Sequence, residues 1–269
     1  MPIRKRYQFD EVEGVKIGRF ELGLTSTFVL YRIGETLIDS GPSNQWREAQ
    51  SFVAESPPTQ LLLTHHHEDH SGNAARIAQQ YSLTPYAPEL GREKLAAGFY
   101  IPPMQWLVWG KSQPVTTQSL PQTMTLANGL QLVVIHTPGH ADDLHCFFLP
   151  EKGWLFTADL YIARRLKYFR ADEKLGQLIA SLNKVLTYDF TVLFCAHRGI
   201  FEDGKQRLSE KRDNLLEFCQ QVQDLDGQGV EVDEIVLRLL GKEGWVAKLT
   251  SYNVSKRNLV AEALKVTLG

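Results

Sequence analysis

Residues 61–73 read LLLTHHHEDHSGN. Three leucines run into Thr64, and His65, His66, His67, Glu68, Asp69 and His70 follow without a break. Each of these six side chains can ligate a metal or exchange a proton, and neutral imidazole and carboxylate are the ligands that a borderline cation such as Zn²⁺ accepts. The apolar run predicts a buried strand. Ser71-Gly72-Asn73, ahead of Ala74-Ala75-Arg76-Ile77, predicts a helix start capped by Ser71 or Asn73. The cluster then stands where the carboxyl end of a strand turns into a helix, the usual place for a site in an α/β protein. A solvated polar loop is the bland alternative. It accounts poorly for four of the chain's 8 histidines falling within six positions.

Outward from this stretch, the N-terminal side is predicted to be an antiparallel meander over residues 7–40, with strands at 27–31 and 36–39 around a Gly34-Glu35 turn. Ser43-Asn44 can cap a helix over 45–55, which Pro57-Pro58 ends. On the C-terminal side a helix over 73–81, a short strand near Pro85-Tyr86-Ala87 and a helix over 88–97 are expected. Residues 99–110, FYIPPMQWLVWG, lack a period and predict a loop, either a lid or pocket wall or a satellite of the core. Strands return at 124–126, 130–136, 146–149 and 154–157, with turns at Asn128-Gly129 and around Gly153. A helix over 172–186 and a buried strand over 192–195 follow. After Gly199 the chain becomes helical, with amphipathic segments over 205–223, 232–240 and 251–266. The expected organisation is a principal domain over 1–204 and a small C-terminal helical appendage over 205–269.

With 269 residues, 43% hydrophobic and 22% charged, the chain can bury a sizeable core. The balance of 29 Lys+Arg against 31 Asp+Glu does not suggest a general nucleic-acid binder, so a small-molecule substrate is expected, and nucleic acid held in a local basic groove is the less favoured alternative. Three widely spaced cysteines, Cys146, Cys195 and Cys219, argue against a disulfide framework and fit a reducing cytoplasm. MPIRKRYQFD has no apolar core after its basic residues, and no run of 18 apolar residues exists, so neither a secretory signal nor a membrane span is expected.

Four further polar residues follow apolar runs and precede turns: Asp39, His140, Asp159 and His197. If their strands share two stacked sheets, the loops open on one edge. Two metal ions about 3.5–4 Å apart need six or seven ligands and a bridging carboxylate. His65, His67, His70, His140 and His197, with Asp69 and Asp159, supply that number, and a single-metal site would not need so many.

The set resembles the metallo-β-lactamase superfamily. Its HxHxDH motif is present in full as His65-x-His67-x-Asp69-His70. Asp39 in LIDSG, His140 in TPGH, Asp159 in FTAD and His197 in CAHRG match the family's other elements in the expected order, over residues 10–200. The resemblance implies an α/β fold, a four-layer αββα sandwich of two mixed sheets with helices outside. It implies that His65, His67 and His140 hold one metal and that Asp69, His70 and His197 hold the second. Asp159 would bridge, and Asp39 would orient a ligand imidazole through its other nitrogen. Asp69 would also align the nucleophile and shuttle protons. Two divalent ions, zinc first, with iron or manganese also compatible, would make hydroxide available near neutral pH.

His66 and Glu68 are expected to turn away from the metals, and His136 to be structural. Asp142-Asp143-Leu144-His145 matches an Asp-Asp-His run of part of the superfamily imperfectly. Arg164, Arg165, Lys167 and Arg170, interleaved with aromatics, either grip an anion at the rim or pair with surface acids. The leading expectation is a dinuclear metal-dependent hydrolase of a small ester, thioester or lactone. The alternatives are a phosphodiesterase or nuclease of the same fold, a mononuclear iron persulfide dioxygenase-like enzyme, and a non-catalytic metal-binding scaffold.

Overall fold

Short β-branched and aromatic runs, punctuated by Gly and Asn turns, build two mixed sheets. The computed structural model describes residues 3–20 and 26–268, so part of the expected 7–40 meander, residues 21–25, lies outside the described residues. The chain divides into two compact units, and both sheets belong to the first, which comprises Met1–His136, Asp143–Ile162 and Asp189–Gly204. One sheet has the order β1 (Lys5–Phe9), β2 (Val12–Ile17), β3 (Phe28–Ile33), β4 (Thr36–Ile38), β5 (Gln60–Leu62), β6 (Tyr86–Ala87) and β7 (Gln118–Ser119). Its first four strands are antiparallel and its last four are parallel. The other contains β8 (Thr123–Thr125), β9 (Gln131–His136), β10 (His145–Leu149) and β11 (Trp154–Ala158). The strand Val192–Cys195 runs parallel to β11, and Gly199–Phe201 closes the edge beyond it.

The first unit also carries the helices α1 (Trp46–Glu55), α2 (Glu68–Ser71), α3 (Ala74–Tyr81), α4 (Glu89–Ala97) and α5 (Pro103–Trp109). The run Phe28–Ile33 is buried at every position because its two faces meet different partners. Val29, Tyr31 and Ile33 pack with Phe147, Trp154, Phe156 and Phe194 of the second sheet, where Phe156 and Phe194 stack at 4.4 Å between centroids. Phe28 and Leu30 point the other way, into a cluster with Phe52 and Val53 of α1 and Ala74 and Ile77 of α3. Period-two alternation with both faces covered is the reason a sandwich strand reads as a continuous apolar run. Each such side chain contributes about 1.5–3 kcal/mol on burial. The class is the expected mixed α/β one, with two large mixed sheets and helices.

The 99–110 stretch departs from the expected loop, because Pro103 occupies the first helical position of α5, where its fixed φ and missing N–H favour a helix. Trp109 is buried, whereas Tyr100 and Trp106 face solvent.

The second unit gathers Thr137–Asp142, Ala163–Tyr188 and Lys205–Gly269. By packing, residues 163–188 therefore go with the C-terminal helices, a boundary different from a cut at residue 204. It contains α6 (Leu175–Leu186), α7 (Gly204–Gly227), α8 (Val232–Leu240), α9 (Trp245–Leu249) and α10 (Lys256–Ala263). The single helix expected over 251–266 is instead α10, begun by Ser255, whose hydroxyl accepts from the Asn258 N–H at 3.1 Å, with α9 as a separate turn before it. A two-residue antiparallel ladder joins Phe169–Arg170 to Val254–Ser255. Among the described residues, no helix is long and apolar enough to cross a membrane.

Candidate metal centre

The first sheet delivers its polar residues where β4 and β5 end. Asp39 leaves β4 with a left-handed backbone, φ +60°. Its N–H donates to Leu62 O at 2.7 Å, and its carboxylate accepts from the Thr64 N–H at 2.8 Å and from His70 Nδ1 at 2.7 Å. After β5 the backbone passes His65, His66 and His67 and winds into α2, so Asp69 and His70 lie on a helical turn. Gly72 lets this turn close on the loop after β4: a Cβ there would stand 2.5 Å from Glu68 O and 2.6 Å from the Ser43 nitrogen. Neither expected cap forms, since Ser71 Oγ donates to His66 O and Asn73 makes no side-chain bond to the start of α3. Asn73 Nδ2 instead donates to the carbonyls of Ser40, Gly41 and Pro42 at 3.1, 3.1 and 2.9 Å, fastening the β4 loop beside the histidines.

The second sheet delivers the remainder. Asp159 follows β11, and His197 follows the strand Val192–Cys195 one residue after Ala196. These two strands are parallel neighbours paired at Ala158 and Cys195, so both residues emerge at one end of the sheet. His197 Nδ1 donates to Thr27 O at 2.8 Å.

Asp69, His70, Asp159 and His197 each present a ligand atom, all within 4.8 Å of one another, and all four are buried. Asp159 Oδ1 lies 3.2 Å from His70 Nε2 and 3.0 Å from His197 Nε2, and Asp69 Oδ2 is 3.6 Å from His197 Nε2. The Nδ1 atoms of both imidazoles donate outward, to Asp39 and Thr27, which leaves the two Nε2 atoms aimed at carboxylate oxygens. Among the described residues, His197 Nε2 meets no hydrogen-bond partner of proper geometry although it is buried. Imidazole nitrogens facing carboxylates need positive charge between them, supplied by a proton on Nε2 or by a metal ion. Two imidazoles and two carboxylates are the donors that zinc, iron or manganese accepts, so the residues present fit a divalent metal.

The electrostatics agree. Burial opposes a charge on His70, but the carboxylates of Asp39, Asp159 and Asp69 outweigh it and hold its pKa well above the ordinary value. For His197 burial is again the largest influence and again opposes the charge, and Asp159 and Asp69 turn the balance upward. The site calls for positive charge.

His65 and His67 are buried in the same unit. The Thr64 hydroxyl, which donates to Asp39, receives His65 Nδ1 at 3.1 Å, and His65 Nε2 faces His67 Nδ1 at 3.1 Å. His140 belongs to the second unit, where its Nδ1 donates to Glu173 Oε1 at 2.5 Å. His66 turns to Asp143, whose Oδ1 accepts from His66 Nδ1 at 2.7 Å and whose Oδ2 accepts from the His66 N–H at 2.9 Å. The expectation that it serves a supporting part agrees with this pairing. The basic 164–170 loop pairs inside its own unit: Arg164 with Glu210 at 3.1 Å, Arg165 with Asn214 at 3.0 Å and Arg170 with Asp172 at 3.0 Å. Glu173, Thr64 and the Thr27 carbonyl were not read from the sequence. Glu173 stands in no motif, and nothing in the sequence sets it near the TPGH turn.

Comparison with known proteins places this geometry in a family. The model of the metallo-beta-lactamase superfamily matches residues 23–197. A lactamase-like protein of Pestalotiopsis microspora is 28% identical over 76% of this chain, which spans 61% of that relative. An atrochrysone carboxyl ACP thioesterase of Claviceps purpurea is 25% identical, over 86% of this chain and 71% of its own length. Among solved structures, a beta-lactamase domain protein from Burkholderia ambifaria superposes with a TM-score of 0.76 at 15% identity, covering 97% of this chain and 87% of that one.

Proposed function

The chain belongs to the metallo-β-lactamase superfamily, and on that premise we propose that it is a metal-dependent hydrolase of thioesters. The observation that carries this reading is the convergence of four buried ligand atoms from Asp69, His70, Asp159 and His197, with both Nδ1 atoms tied outward. The thioesterase name of one relative supports the substrate class.

We assign Asp69, His70 and His197 to one metal, His65, His67 and His140 to the other, and Asp159 to the bridge between them. The ordered motifs support this assignment, as does the engagement of His140 Nδ1 by Glu173, which favours ligation through Nε2. Zinc is the first choice for both. When bound, divalent metal would supply water of lowered pKa and polarise the scissile carbonyl. Asp39 fixes the ring and tautomer of His70 and raises its basicity. Asp69 is assigned the proton-shuttling part: its Oδ2 accepts the proton that the attacking water gives up and returns it to the departing thiolate. The aromatic segment ending in Trp109, whose ring centre lies 6.1 Å from that of His197, forms an apolar wall for the acyl group. Cys146, Cys195 and Cys219 are buried thiols, in keeping with a cytoplasmic protein acting on a small-molecule substrate.

Elemental analysis followed by a panel of acyl thioesters, lactones and bis(p-nitrophenyl) phosphate tests the proposal. Two metals per chain and turnover of thioesters are expected. One iron per chain with oxygen consumption on a persulfide, or turnover of the phosphodiester alone, rejects it.

A further inference from the structure

Resting on the reading of His140 as a metal ligand, we propose that the C-terminal appendage is part of the metal centre's scaffold: it holds the loop of Glu173, and Glu173 is the positioning residue of His140. All of the contacts concerned lie within the second unit.

Glu173 is nearly buried, at 8% exposure, and both of its carboxylate oxygens are engaged. Oε1 accepts from His140 Nδ1 at 2.5 Å and Oε2 accepts from the Arg170 N–H at 2.8 Å. An anion against Nδ1 fixes the proton there, aims the ring and raises the basicity of Nε2. The turn before His140 is held by the same region. The Lys174 N–H donates to Gly139 O at 2.7 Å and Ser181 Oγ donates to Pro138 O at 2.7 Å. Gly139, at φ +136°, lies so close to α6 that a Cβ would stand 2.5 Å from the Leu178 nitrogen.

The loop 169–175 is in turn fastened at both ends by the C-terminal segment. At its start, Phe169–Arg170 pair with Val254–Ser255, the Ala171 N–H donates to Asn253 O at 2.8 Å, and Asn258 Nδ2 donates to Phe169 O at 3.1 Å. At its end, the Leu175 N–H donates to Glu262 Oε2 at 3.2 Å. Asn258 and Glu262 are four residues apart on α10, one helical turn, so a single helix spans the loop. The appendage thereby reaches the ligand through three links: α10, the 169–175 loop and Glu173.

Zinc binding to the full chain, measured by competition with a chromophoric chelator and paired with thermal melts, tests this. His140→Ala should bind one zinc fewer; two zincs held with wild-type affinity would reject His140 as a ligand and with it the premise. Glu173→Gln should weaken one zinc by about 10–100-fold, leave the other unchanged and melt like wild type. If His140→Ala loses a zinc but Glu173→Gln binds both normally, Glu173 is not the positioning residue. Asn258→Ala and Glu262→Ala should weaken that same zinc by a smaller factor, and should add nothing once Glu173→Gln is present. Full, independent weakening in the double variant would overturn the part assigned to the appendage. Should Asn258→Ala not fold, Glu262→Ala carries the same comparison.

Discussion

Asp39 Oδ2 lies 2.7 Å from His70 Nδ1, and the residue making this contact sits in a left-handed conformation, φ +60°. Asn and Asp are the side chains that best tolerate such a backbone. Asp39→Asn therefore keeps the conformation and removes the charge. With a neutral partner the His70 ring loses its fixed tautomer and part of its basicity. Metal affinity should fall by about 10–100-fold, the usual loss when such a partner is changed. Chelator competition measures it. Wild-type affinity in Asp39→Asn would show that the carboxylate charge has no part in holding metal.

The raised pKa values of His70 and His197 give the metal-free protein a pH dependence of definite sign. A histidine whose folded pKa exceeds its unfolded value, about 6.5, stabilises the fold fully below that value and ceases to do so as pH climbs through the folded pKa. Chelated protein should thus lose melting temperature from about pH 6.5 upward. Metal ligands must give up those protons, so zinc should bind more tightly as pH rises, and the gap between loaded and chelated melts should widen. Melts with excess chelator and with zinc between about pH 6 and about pH 9 decide this, and a gap that narrows with rising pH contradicts it.

The candidate metal-binding stretch was legible because metal ligation would dictate its residue types: of His65-x-His67-x-Asp69-His70, the fold gathers Asp69 and His70 with Asp159 and His197. The β3 and β5 strands were legible because burial on both faces leaves an apolar run. What stayed hidden depended on partners far off in the chain. Asn73 has the composition of a cap, yet three carbonyls from the β4 loop claim its amide. Glu173 is one glutamate among many until the fold sets it against His140. The Pro-Pro pair at 102–103 signals a break, and its second member begins a helix. The 251–266 segment has a helical apolar face, but Ser251 and Tyr252 both adopt positive φ, so the helix starts only after Ser255.

Gly91 tests how tightly the metal loop is braced from behind. It lies in α4, where alanine would ordinarily gain about 0.5–1 kcal/mol over glycine. Here a Cβ would stand 2.2 Å from Asp143 Oδ2, the oxygen that accepts the His66 N–H. Overpacking of this kind costs about 1–3 kcal/mol, so the clash outweighs the helix gain. Gly91→Ala should melt lower by several degrees, about 2–4 °C for each kcal/mol in a chain of this size. A variant that melts at or above wild type would show that Asp143 moves aside freely.

Trp106 bears on the choice of substrate. It is 60% exposed and stands one helical turn before Trp109, whose ring centre is 6.1 Å from that of His197. A large apolar side chain left in water contributes little packing, so its removal should not lower the melting temperature; surface changes of this kind stay within about 0.5 kcal/mol. If α5 is the wall for the acyl group, Trp106→Ala should raise KM for a long-chain acyl thioester several-fold and leave kcat nearly unchanged, the signature of lost uniform binding. The same substitution should leave an acetyl thioester almost unaffected, since a two-carbon acyl group offers little apolar surface to bury, at about 0.8 kcal/mol per methylene. Steady-state kinetics on the two substrates separates these outcomes. Equal losses on both would place the acyl group elsewhere and leave Trp106 without a part in recognition.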